Sequence, residues 1–163
     1  MSLFRTTVVC AVLGSISLIA LAAGETEADR LTLNRLQQIG QASLIYANEN
    51  RGYLPTSFGQ LARTLKKPEV FLDARSESTP PADWEKMNPN QQAEWIVDHS
   101  EYVFTAAAGQ KIFRIKNPST VPFVTTRDKP GQKKVTLFAD GRAQIEGSGV
   151  DPAQLPPPPA TKP

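Results

Sequence analysis

Asp98-His99-Ser100-Glu101 is the one stretch that gathers a base, an alcohol and two carboxylates within four residues. His99 is the only histidine in the chain. A zinc or other borderline metal takes several His or Cys ligands, and no second histidine stands near it. A serine nucleophile needs a histidine base that is itself oriented by a carboxylate, and nothing in the pattern marks a partner serine for His99. The carboxylate pairs Asp83/Glu85 and Asp98/Glu101 sit where a loop or a helix end carries solubilising charge, and their spacing alone does not make a glycosidase pair. No glycine-rich loop joins a strand to a helix, so no phosphate or nucleotide cradle is expected. These absences lead us to expect no enzyme, no metal, no cofactor and no small-molecule substrate. His99 reads as a surface or helix-end residue. A hydrolase dependent on His99 stands as the least favoured alternative.

The other residues with chemical potential are cations. From Glu25 to Glu101 there are eight Lys/Arg against twelve Asp/Glu, a net of −4. From Lys111 to Arg142 there are eight Lys/Arg against Asp128 and Asp140, a net of +6. Such a split can orient a domain on a membrane surface or on an anionic polymer, DNA or acidic polysaccharide, the latter through Arg127, Lys129, Lys133, Lys134 and Arg142. The alternative is a solvated basic face of a sheet.

The elements that must position these groups begin after an export segment. Arg5 supplies a positive start, Thr7 to Ala22 is nearly all apolar apart from Ser15 and Ser17, and Ala20-Leu21-Ala22 fits the small-residue rule for signal peptidase. Cleavage after Ala22 or Ala23 leaves a chain starting near Gly24, exported to the periplasm or beyond. The alternative is an uncleaved inner-membrane anchor, since the apolar run is at the short end of what spans a bilayer. Cys10 precedes the end of the run, so it is no lipid attachment site and leaves with the signal. Residues 1–23 are thus read as signal, 24–147 as one domain and 148–163, with Pro156 to Pro159, as a disordered tail.

Within the domain, Glu25 to Asn50 reads as a long amphipathic helix. Leu33, Leu36, Ile39, Gly40, Ser43, Leu44, Tyr46 and Ala47 share its inner sector. Glu25, Glu27 and Asp29 favour its dipole, and Gly52 closes it. Ser57 to Leu65 is expected as a short helix capped by Thr56, and Glu69 to Leu72 as a strand or extended ledge against the first helix. Ser76 to Asp83 reads as a loop. Asn88-Pro89 starts another helix running to His99 and anchored by Trp95 and Ile96. Trp84 and Trp95 are expected to cover an edge of the core.

Strands follow at Tyr102 to Phe104, Lys111 to Ile115, Val121 to Thr126 and Lys133 to Glu146. Asp140-Gly141 reads as a two-residue hairpin turn, which places Ala139 opposite Arg142. That register groups Thr136, Phe138, Ala143 and Ile145 on one face, and Val135, Leu137 and Ala139 with Arg142, Gln144 and Glu146 on the other. The strand before the turn is apolar on both faces and is expected in the interior of the sheet, with the one after it at the edge. The fold class read from these elements is α+β, a long N-terminal helix packed on a small antiparallel sheet.

Leu36-Gln37-Gln38-Ile39-Gly40-Gln41-Ala42 and Tyr46-Ala47-Asn48-Glu49-Asn50-Arg51-Gly52-Tyr53-Leu54-Pro55 together resemble a segment of the pilin-like proteins common in planctomycetes, the prepilin-type H-X9-DG family. Pro68 to Leu72, Trp84 to Trp95 and Ser100 to Phe104 keep that family's order, and Val135-Thr136-Leu137-Phe138-Ala139-Asp140-Gly141 resembles its closing hairpin. The resemblance implies a head like that of type II secretion pseudopilins, and as partners other cell-envelope or secretion-system proteins. The chain departs from the pattern at the marker histidine, where Pro130 stands, at Arg142 after the Asp-Gly pair, and at Asp73-Ala74 where the family has Cys-Pro. Gly14 lacks the acidic residue that follows it in a prepilin site. The resemblance therefore implies a head freed from its filament helix, with membrane contact only if the signal is retained.

Overall fold

The computed structural model describes residues 25–147. The expected signal segment with Cys10 and the proline-rich tail lie outside them. The domain is α+β, with two α-helices and a four-stranded antiparallel sheet.

Helix α1 spans Glu27–Glu49. Its start is set by a reciprocal cap: the Asp29 N–H donates to Thr26 Oγ1 at 3.1 Å, and Asp29 Oδ2 accepts from the Thr26 N–H at 3.0 Å. Thr26 itself is extended, with φ −81° and ψ 162°, so the helix does not run back through it. Leu36, Ile39, Gly40, Ser43 and Ala47 are buried as expected from the helical period, and Asp29, Thr32 and Ala42 join them. At the far end Asn50 caps, Arg51 takes φ 56° and Gly52 φ 84°, and the Gly52 N–H returns to the Ala47 carbonyl at 2.7 Å.

Between α1 and the second helix the chain makes short 3-10 turns. The expected helix from Ser57 is one turn, Phe58–Leu61, and its cap is Ser57 in place of Thr56. The Gln60 side chain folds back to accept from the Thr56 and Ser57 N–H groups at 2.8 and 3.3 Å. The apolar run expected as a strand or ledge is a 3-10 turn, Pro68–Phe71, that packs on α1. Pro68 supplies a φ already suited to the first position of a turn and no N–H to a ladder, which favours the turn over a strand. Helix α2, Pro89–His99, starts where Asn88 predicts: Asn88 Oδ1 accepts from the Asn90 and Gln91 N–H groups at 3.0 Å each.

The sheet order follows the chain: β1 Tyr102–Phe104, β2 Pro122–Thr126, β3 Val135–Phe138 and β4 Ala143–Ile145. The stretch expected as a strand at Lys111 to Ile115 is another 3-10 turn, Ile112–Arg114, held outside the sheet by an isolated bridge between Lys111 and Tyr53 in the segment that follows α1. β3 is interior and β4 an edge, as its one-sided apolar pattern implies.

The hairpin register differs from expectation by one residue. Leu137 faces Ala143, Thr136 faces Gln144 and Val135 faces Ile145. The Phe138 N–H donates to the Arg142 carbonyl at 2.7 Å and the Gly141 N–H to the Phe138 carbonyl at 3.0 Å. Ala139, Asp140 and Gly141 form a three-residue loop, with Gly141 at φ 87° as the left-handed residue that such loops require. A one-residue shift exchanges faces on the second strand. Val135, Leu137, Ala139, Ala143 and Ile145 are all buried together, and Thr136, Phe138, Gln144 and Arg142 share the half-buried outer face.

α1 lies across β3 and β4. A Cβ on Gly40 would stand 2.6 Å from the Gly141 carbonyl oxygen and 2.7 Å from Leu137 Cδ1. Helix and hairpin turn therefore meet through backbone. α1 also touches the Phe58 turn, where Phe58 sits edge-on to Phe71 and Tyr102 at 6.2 and 6.3 Å and stacks on Phe104 at 4.3 Å, so the aromatic residues join the turns to the sheet.

Candidate functional site

The Asp98 to Glu101 tetrad is divided by the fold. His99 ends α2, where its Nδ1–H faces the Trp95 carbonyl at 2.8 Å and its ring stacks on Trp95 at 4.6 Å. A carbonyl only accepts, so this contact puts the proton on Nδ1. Ser100 is buried and its Oγ accepts from the Tyr102 N–H at 3.3 Å. Glu101 turns to Lys129, whose Nζ lies 2.5 Å from Oε1. Asp83 and Glu85 are exposed on either side of the buried Trp84. Among the described residues no group of three His, Cys, Asp or Glu is placed to hold a metal ion. Trp84 and Trp95 meet edge-to-face at 5.6 Å, Trp84 buried with its Nε1–H on the Lys66 carbonyl at 3.0 Å.

Three of the five cations read from the sequence are held in ion pairs. Lys129 pairs with Glu101, Lys134 Nζ lies 3.0 Å from Asp128 Oδ1, and Arg142 Nε lies 2.6 Å from Asp140 Oδ2. Arg127, Asp128, Lys129, Lys134 and Glu146 line one shallow groove, so both signs alternate there. Lys133 is half-buried and its carbonyl is engaged by Arg75. Arg127 is exposed.

The strongest electrostatic feature is one that no local pattern marks. Arg75 lies between Asp73 and Asp29. Its Nε and Nη2 donate to the two Asp73 oxygens at 2.8 and 2.5 Å, and its Nη1 donates to Asp29 Oδ1 at 3.1 Å and to the Lys133 carbonyl at 2.7 Å. The three side chains are 10%, 3% and 5% exposed. Thr32 Oγ1 donates to Asp73 Oδ1 at 2.9 Å, and the Leu72 carbonyl accepts from Tyr102 Oη at 2.6 Å and Arg35 Nη1 at 3.1 Å.

Burial alone would raise the Asp73 carboxyl, but hydrogen bonds from the Arg75 side chain and N–H and from Thr32 outweigh it and hold it below its ordinary range. The Asp73 hydrogen bond raises the Arg75 guanidinium further, against the opposing effect of burial. Burial pushes the Tyr102 phenol up, with the Asp73 charge adding to it. With four of the five Arg75 guanidinium N–H groups engaged from within, the cluster is a tie between the start of α1, the loop after the Pro68 turn and the approach to β3.

Among the described residues five large hydrophobic side chains remain exposed: Leu31, Tyr53, Val97, Val103 and Phe113. Tyr53 and Phe113 share one ammonium, Lys111 Nζ, at 4.7 and 5.4 Å from their ring centres. The sequence signal for this pair was a strand expected at Lys111 to Ile115, which would have pointed alternate residues inward. Among the described residues no helix is long and apolar enough to cross a membrane. Comparison of the chain with protein-family models, curated proteins and solved structures finds no match.

Proposed function

We propose that this is an exported, non-enzymatic, pilin-like α+β domain that binds other components of the cell envelope or a secretion system. The observation that carries the reading is the start of α1. Thr26 is extended and capped reciprocally with Asp29, so α1 starts at Glu27, just beyond the expected cleavage site. The long helix across an antiparallel hairpin, approached through Gly40, is the layout that the resemblance implies for a pseudopilin head. The division of the Asp98 to Glu101 tetrad among unrelated partners supports the non-enzymatic part.

Intact mass and fractionation of the protein from its own cells test this. A soluble exported species starting between Ala23 and Glu25 is the expected result. A membrane species retaining Ser15 to Ala22 would replace the freed head by an anchored one, and cleavage just after Gly14 would make the chain a filament pilin.

A further inference from the structure

Tyr53 is 44% and Phe113 67% exposed, yet neither sits on a loose loop. Tyr53 is bridged to Lys111, the Leu54 N–H donates to the Gln110 carbonyl at 2.9 Å, and the Ile112 N–H donates to the Gly52 carbonyl at 2.9 Å. Phe113 lies against Gly52, where a Cβ would meet its Cε1 at 2.7 Å, and Gly52 is already held at φ 84°. The two rings are thus fixed in place while their outer surfaces stay in water. Such positioning reduces the ordering cost of binding.

The charge around them differs from that of the 127–142 strip. Arg51, Lys111, Arg114 and Lys116 take part in none of the ion pairs among the described residues. The sequence has no Asp or Glu between Glu101 and Asp128. Arg51, Arg114 and Lys116 are exposed, and Lys111 is half-buried with its ammonium over one face of each ring, which leaves the opposite faces for a ligand.

We propose that Tyr53 and Phe113, with Arg51, Lys111, Arg114 and Lys116, form a binding face for single-stranded nucleic acid. Flat bases stack on the exposed rings and phosphates meet the unpaired cations, the combination by which sequence-tolerant single-strand binders work. A duplex hides its base faces and satisfies only the cations. None of these residues is among the five cations at 127–142, and the proposal rests neither on export nor on the likeness to pilins.

Fluorescence anisotropy of a labelled oligothymidine with the purified protein tests the proposal. Binding is expected at about 20 mM salt, weakening steeply by about 200 mM, and tighter than for a duplex of the same length. Phe113→Leu keeps an apolar contact with Gly52 but removes the stacking face, and is expected to weaken binding about tenfold. Arg114→Glu with Lys116→Glu, both at exposed positions, is expected to abolish binding and to leave the circular dichroism spectrum unchanged. Lys133→Glu with Lys134→Glu is expected to leave binding within about twofold, because those residues lie on the other strip. No anisotropy change at low salt would overturn the proposal, as would loss of binding in the Lys133/Lys134 variant alone. Binding of polygalacturonate without binding of oligothymidine would also overturn it, assigning the face to an acidic glycan.

Discussion

Arg75 brings one positive charge to two buried carboxylates, and the excess negative charge is tolerated because hydrogen bonds share it. Asp73 accepts from Arg75 and Thr32, and Asp29 accepts from the Thr26 N–H and Arg75. Removing the arginine leaves both carboxylates uncompensated, so Arg75→Met is expected to cost about 3–5 kcal/mol in denaturant unfolding. The same cluster sets an acid limit. The Asp73 carboxyl is depressed in the folded state from its ordinary 3.8, so its contribution is complete well above that value and is lost as the pH falls through the folded value. Stability measured from pH 6 down to pH 2 is expected to drop most steeply below about pH 4. In Asp73→Asn, already less stable near neutrality, that part of the decline is expected to be absent. An unchanged acid limb would mean that other carboxylates set it.

At the scale of elements, the contact between α1 and the hairpin turn is made by backbone and permits no added atom. Gly40→Ala gains up to about 1 kcal/mol of helix propensity, but its methyl group would meet the Gly141 carbonyl, which has no rotamer to yield. The net expectation is a loss of about 1–3 kcal/mol in stability, measured by denaturant unfolding, where an exposed helical glycine would show a gain. The small residue at Gly40 was legible from the helical period, and so was the place of the hairpin, from Asp140-Gly141. Its register was not, because Asp-Gly serves both a two-residue turn and the last two positions of a three-residue loop, and β3 is apolar on both faces. The two short segments at Pro68 and Ile112 were equally ambiguous, since a run of three or four residues with apolar side chains suits a strand or a single 3-10 turn and only packing decides. The Asp29, Asp73 and Arg75 cluster was hidden for another reason. Its members come from α1 and a distant loop, and Asp29 also fits the simpler role of a charge at a helix start.

For the whole molecule, these contacts decide whether the helical turns and the sheet melt together. α1 touches both, β3 and β4 of the sheet and the Phe58 and Pro68 turns, and α2 packs on those turns. The aromatic contacts of Phe58 cross to Tyr102 and Phe104 of β1, and Phe104 continues to Phe123 of β2 at 5.3 Å. Arg75 ties the loop after the Pro68 turn to both α1 and the Lys133 carbonyl. The apolar core is correspondingly continuous, from Leu61 and Ile96 through Leu36 and Ile39 to Leu137 and Ile145. A chain of this size with one core is expected to unfold in a single cooperative step. Trp84 and Trp95 report the α2 side, while Gly40→Ala perturbs the hairpin side. Thermal melts by tryptophan fluorescence and by far-ultraviolet circular dichroism are therefore expected to coincide in the native chain, and Gly40→Ala to lower both midpoints equally. A tryptophan transition left in place while the circular dichroism transition moves would show that the α2 side folds as a separate unit, joined to the sheet more weakly than the shared core and the Arg75 tie imply.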